Sequence, residues 1–324
     1  MSDRTRRVLL RLLQFAFVIA VFVYGGEKIA AAWGDAQAQG GDDLLRQLRW
    51  LPILAATMLV LLTYLLLIQL WRYILRNWGE RLSLPDAMAI WSISSLGRYV
   101  PGRVAQLAAM FLLSSRRGIS PTAATGSALL NVLLNIGAGL VVALVLGGRQ
   151  LDAIRPGASA VAGVAVAVGV VGMLLLPWIL PRAVRLASKL LRRDVIEPRM
   201  SPSAIWLTAG GNVVAWLMYG VAFQLFAAGV IGDVPAGAAP AYIAVYSGSY
   251  VIGYLVLFTP GGLGVREATM AGMLAAFGLT TMPQAWLLAF ASRVWLLAVE
   301  VLPGILFLAH GWSRRSTKLT PGDA

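Results

Sequence analysis

Residues 94–115 read SSLGRYVPGRVAQLAAMFLLSS, and residues 258–278 read FTPGGLGVREATMAGMLAAFG. The second stretch is a partial echo of the first, with Pro260 lying 159 residues beyond Pro101. In both, an aromatic residue (Tyr99, Phe258) stands two places before Pro-Gly, an arginine follows closely, and a run of Ala, Met and Leu comes next. Both lie inside apolar sequence, where a charge is costly. The arms around the first break, 86–100 and 102–115, have 15 and 14 residues. As helices they reach about 21–22 Å, against roughly 30 Å of hydrocarbon. Neither arm spans comfortably alone. Broken backbone at membrane depth must be buried in protein or face a water-filled cavity, so the spacing predicts a re-entrant helical hairpin.

Composition sets the surroundings of these breaks. The 324 residues are 59% hydrophobic and 13% charged, with mean hydropathy +0.76. An ordinary soluble domain is about 25% charged and about 45–50% apolar. The chain therefore reads as an all-α polytopic membrane protein. There is no cysteine, hence no disulfide or thiolate site and no inference about redox compartment. Histidine occurs once, as His310, which argues against His-based catalysis or a multi-His metal site. The net charge of +13 would suggest nucleic acid in a soluble protein. Here it fits basic loops and an anionic lipid surface, and no nucleic-acid partner is expected.

Six full transmembrane helices are expected outside the breaks, at 8–24, 51–70, 121–146, 160–180, 203–230 and 283–309. The first follows Arg4, Arg6 and Arg7 and resembles a signal peptide. The charges Glu27, Lys28 and Asp35 separate it from the cleavage-like Ala36-Gln37-Ala38, so it reads as a retained span. Trp71, Tyr73 and Trp78 beside Arg72 and Arg76 carry the signature of a membrane–water boundary. Residues 182–199 form a basic loop. The layout is a single membrane domain over 1–324, with halves of about 1–150 and 151–311 and a polar tail at 312–324.

With the N-terminus inside and each hairpin returning to its own side, the inside segments carry 18 Lys and Arg and the outside loops 5. That asymmetry predicts cytoplasmic N- and C-termini in the plasma (bacterial inner) membrane. The hairpins then enter from opposite sides. Corresponding points in the two halves (51 and 203, 101 and 260, 121 and 283) are offset by 152, 159 and 162 residues. This is the pattern of an inverted repeat, whose substrate site lies near the midplane where broken helices meet.

Four arginines fall at membrane depth, Arg98, Arg103, Arg266 and Arg293, and only two carboxylates join them, Glu267 and Glu300. Mutual pairing is one reading, yet it leaves two positive charges over, which an anionic ligand would balance. A guanidinium matches phosphate bidentately. Helices that begin after Pro101-Gly102 and Pro260-Gly261 present free N–H groups and a positive dipole end. Gly262 and Gly264 would let backbone approach a phosphate. Arg293 and Glu300 are seven residues apart, about 10.5 Å along a helix, too far to pair directly. Each needs a partner on another helix, and Arg266 and Glu267 are the first candidates. Tyr99, Gln106, Asn131, Asn135, Asn212 and Gln224 are further substrate-binding candidates, set against simple interhelical hydrogen bonding. No HExxH, GxSxG, P-loop or metal-spaced carboxylate pair is present, so no catalytic residue, metal or cofactor is expected.

GRYVPGRVAQ, the basic loop, FTPGGLGVREA and the final span with its arginine and glutamate resemble the flippase-like family of the lysylphosphatidylglycerol synthase transmembrane region. That region is the membrane half of the multiple peptide resistance factor. The resemblance covers about residues 8–310. It implies movement of anionic or modified lipids between leaflets, or support of envelope-lipid assembly. Pro101, Gly102 and Arg103 match its first motif. Pro260, Gly261, Gly262, Gly264, Arg266 and Glu267 match its second. The aminoacyl-transfer domain of the full synthase is not among these 324 residues, so synthesis of lysyl-lipid is not expected of them.

The leading expectation is a flippase or scramblase for an anionic or modified phospholipid or polyprenyl-linked lipid. Arg103, Arg266 and Arg293 would hold the headgroup phosphate. Glu267 or Glu300 would orient them and be available for a coupling proton. The alternatives are a membrane enzyme acting on a lipid phosphate, and a non-catalytic partner of an envelope-lipid synthase or glycosyltransferase. The first lacks a serine after either Pro-Gly.

Overall fold

In a computed structural model the described residues are 48–99, 104–154, 156–191, 200–232, 234–256, 262 and 264–310. The expected span at 8–24, residues 192–199 of the expected basic loop and the tail lie outside them, whereas residues 182–191, expected as loop, are helical and continue the helix that starts at Ala158. So do Pro101, Gly102, Arg103, Pro260 and Gly261. Nine α-helices are described: α1 (Trp50–Asn77), α2 (Leu84–Ser95), α3 (Val104–Ser115), α4 (Pro121–Ile154), α5 (Ala158–Leu191), α6 (Pro202–Ile231), α7 (Ala239–Leu255), α8 (Val265–Ala276) and α9 (Met282–Ala309). No strand occurs among the described residues. Lipid offers backbone groups no partner, and a helix satisfies them within one segment.

Five helices are long and apolar enough to cross a membrane, namely α1, α4, α5, α6 and α9. They coincide with five of the six expected spans. The remaining helices are shorter and come in two packed pairs, α2 against α3 and α7 against α8. Both helices of the first pair have 12 residues; the second pair has 17 and 12. Twelve residues rise about 18 Å, well short of roughly 30 Å of hydrocarbon. Ser83 starts α2, its hydroxyl accepting the Asp86 N–H at 3.2 Å. A 3-10 turn, Leu96–Tyr99, follows α2 and carries Arg98 and Tyr99.

Each pair is held close by a glycine on its first arm. A Cβ on Gly97 would lie 2.7 Å from the Gln106 backbone nitrogen in α3. A Cβ on Gly253 would lie 2.8 Å from the Arg266 Cβ in α8. Neither distance is tolerable, so the two arms touch where only glycine fits.

The chain forms two compact units. One comprises Leu62–Ala138, Val168–Ala215 and Leu297–Ala324, and contains α2 and α3. Its core joins Ile68, Trp71 and Leu75 of α1 to Leu82, to Ala87 and Ile90 of α2, to Met110 and Leu113 of α3, and to Ala124 and Ala128 of α4. Trp71 is wholly buried and its indole N–H donates to the Ser127 hydroxyl at 3.0 Å. It is therefore a packing residue. A hydroxyl on α4 supplies the polar partner of its indole N–H.

The other unit comprises Met1–Leu61, Gly139–Ala167 and Trp216–Leu296, and contains α7 and α8. Here Trp216, Tyr219 and Phe223 of α6 interleave with Tyr242, Tyr246 and Tyr250 of α7. Ring centroids are 5.2 Å apart for Trp216–Tyr250, 5.7 Å for Tyr219–Tyr246 and 5.9 Å for Phe223–Tyr242. Phe226 stacks on Trp295 of α9 at 4.5 Å, and the Trp295 N–H donates to the Thr57 hydroxyl at 2.9 Å.

Candidate functional site

The glycine-rich stretch ends at Gly264, whose φ of +88° is left-handed backbone that glycine alone adopts without strain. Helix α8 starts at the next residue. Glu267, in its first turn, folds back so that its Oε2 accepts the Gly264 N–H at 2.7 Å. This is half of a capping box, since glycine has no side chain to return the bond. The carboxylate thus sits at the positive end of the helix. Its other oxygen, Oε1, faces Arg293 Nε of α9 at 3.7 Å, with the Glu267 side chain 2% exposed and that of Arg293 15%.

Arg266 is 6% exposed. Its guanidinium lies over the Tyr250 ring at 4.9 Å and the Tyr246 ring at 5.2 Å. The glycine at position 253 allows this approach, because any side chain there would occupy the space of the Arg266 Cβ. A desolvated cation–π contact contributes about 2 kcal/mol. Burying an arginine costs at least about 2.5–3.5 kcal/mol. The aromatic seat therefore offsets only part of the cost. Two buried atoms in this group, Arg266 Nη2 and Glu267 Oε1, have no hydrogen-bond partner. The local formal charge is two guanidinia against one carboxylate. Chemically, Arg266 Nη2 is a buried donor without an acceptor among the described residues.

The other sequence candidates are distributed as follows. Asn212 Nδ2 donates to Asn131 Oδ1 at 3.2 Å and to the Thr208 carbonyl at 2.9 Å. Asn135 Nδ2 donates to Asn212 Oδ1 at 2.8 Å. These three asparagines tie α4 to α6, which is the interhelical bonding weighed against a substrate role. Gln224 donates to the Pro235 carbonyl at 2.9 Å and holds the turn before α7. Gln106 is half-buried on α3, and Glu300 is half-buried on α9. Arg98 and Tyr99 are placed by their backbone, in the turn after α2.

Residues 8–304 match the family described as the lysylphosphatidylglycerol synthase TM region. The chain belongs to this family. The matched residues take in both Pro-Gly stretches and the Arg266–Glu267–Arg293 group, so the site lies inside the family domain. With its five apolar helices, this member of the lysylphosphatidylglycerol synthase TM-region family is a multi-pass membrane protein. The family's name is that of an enzyme making a lipid, which is consistent with a membrane lipid-related role. No protein of curated function matches the chain.

Tyr246 and Tyr250 are the site residues that sequence reasoning missed. The signal was present as tyrosines at 242, 246 and 250, four apart and so on one helix face. Gly253 was missed as well. Its requirement comes from a close approach between two helices that no single segment reveals.

Proposed function

We propose that the protein moves an anionic or modified phospholipid, or a polyprenyl-linked lipid, between the leaflets of the plasma membrane. Arginines beside the helix breaks hold the headgroup phosphate. The observation that carries this reading is Arg266, buried against two tyrosines with one guanidinium nitrogen left unbonded, beside the Glu267–Arg293 pair. A phosphate oxygen suits that nitrogen, and its charge suits the excess of arginine. The hairpins are read as re-entrant and as halves of an inverted repeat. Support comes from their short arms, from one hairpin in each compact unit and from the glycine contact in each. The termini are read as cytoplasmic, on the basic-residue asymmetry of 18 to 5. The chain acts as a transporter and not as an enzyme, in line with its lack of a catalytic motif.

Reconstitution into liposomes with headgroup-labelled lipids tests the proposal. Wild-type protein should move labelled anionic lipid between leaflets, and Arg266→Ala/Arg293→Ala should lower the rate by about tenfold or more, given the strength of charge-assisted phosphate contacts. Equal rates for the two proteins would refute it.

A further inference from the structure

We infer that a second site, formed by Arg76 and Arg81 where α1 ends and α2 begins, binds a phosphate group at the membrane surface. These residues, Leu82 and Ser83 line a cleft of about 470 Å³ in the unit that contains α2 and α3. Arg76 lies in the last turn of α1, and Arg81 in the short link to α2. Both are exposed.

The neighbouring polar groups are engaged elsewhere. Glu80 accepts the Ser120 N–H at 2.9 Å. Asp86 faces Arg117 at 3.5 Å and accepts the Ser83 hydroxyl at 2.8 Å. Arg72 is occupied, donating to the Leu82 carbonyl at 3.0 Å and to Gln69 at 2.6 Å. Among the described residues no carboxylate pairs with Arg76 or Arg81. Arg76 alone would be explained by the negative end of α1. Arg81 is outside any helix, yet it lines the same cleft. Two guanidinia on one cleft form a bidentate seat for phosphate oxygens. The apolar helix ends here, so the headgroup of an anionic phospholipid would lie at this depth. Free phosphate has the same chemistry.

The chain contains no cysteine, so Ser83→Cys provides a single reporter within the cleft. The full chain is held in a phosphate-free sugar detergent and labelled with a neutral maleimide. Phosphatidylglycerol, phosphatidylcholine or inorganic phosphate is then added. We expect phosphatidylglycerol to slow labelling by about tenfold, as charge-assisted contacts to two arginines imply. Phosphatidylcholine, which carries its own cation, should slow it much less. Adding Arg76→Gln/Arg81→Gln should restore the unprotected rate. Protection by inorganic phosphate and not by phosphatidylglycerol would assign the site to free phosphate. Absence of protection by either, or protection that survives loss of both arginines, overturns the inference. Because Ser83 caps α2, a count of retained phosphatidylglycerol by native mass spectrometry is made with Ser83 intact. Arg76→Gln/Arg81→Gln should retain one lipid fewer than wild type, and Arg116→Gln/Arg182→Gln should retain the same number. Equal loss in both would reduce the effect to general surface charge and also overturn it.

Discussion

Glu267 and Arg293 face each other across α8 and α9 at 3.7 Å, while the same carboxylate caps α8 through the Gly264 N–H at 2.7 Å. One side chain thus caps the start of a helix and faces a half-buried cation.

Removing that carboxylate should release both. Glu267→Ala removes the carboxylate that Arg293 faces and uncaps α8. Breaking a buried pair costs about 3–5 kcal/mol, and the low end applies because Arg293 keeps some solvent contact. Glu267→Gln can still accept the Gly264 N–H and should lose less. Thermal unfolding in detergent would rank wild type above Glu267→Gln and Glu267→Ala last. A double-mutant cycle with Arg293→Ala should recover part of the loss. Strict additivity would show that the two side chains do not interact.

The glycine contacts give a packing test. Gly97→Ala and Gly253→Ala force a methyl to within 2.7 Å and 2.8 Å of the facing helix. Overpacking of this kind costs about 1–3 kcal/mol. Gly210→Ala, with nothing within 4 Å, should be neutral or slightly stabilising. Equal unfolding temperatures for all three variants would show that the hairpin arms do not touch there.

Asn212→Leu separates a structural from a ligand-binding role for the asparagines. It removes the donor to Asn131 and the acceptor for Asn135. Interhelical hydrogen bonds in membranes contribute about 0.6 kcal/mol on average, up to about 1.7. The variant should melt lower while its folded fraction moves labelled lipid at the wild-type rate. Slower transport with unchanged melting would assign Asn212 to the substrate instead.

Asp152, exposed in the last turn of α4, supplies a pH test. Hydrogen bonds from the Ser159 side chain, and then from backbone N–H groups at the start of α5, hold its pKa below the usual value. A carboxylate depressed in the folded state stabilises above its unfolded pKa of about 3.9 and loses that contribution as pH falls through the folded value. The melting-temperature gap between wild type and Asp152→Asn should therefore be full at neutral pH and close below about pH 4. A gap that widens in acid would contradict the assignment.

Membrane class, five of the described spans and the two short, broken elements were legible in the chain itself. Long apolar runs are satisfied in lipid as helices, and a 12-residue helix is too short to cross it. The need of Arg293 for a partner on another helix was legible too, because seven residues of helix separate it from Glu300 too widely. Tertiary structure alone decided that Glu267 fills that need, that Tyr246 and Tyr250 seat Arg266, and that the asparagines bond to one another. It also buried Trp71 in the core, with a hydroxyl on another helix as its partner. The physical reason is common to all four. Local sequence sets hydropathy and helix length, whereas the partner of a buried polar group is chosen by which helix faces approach, and segments far apart in the chain supply those faces.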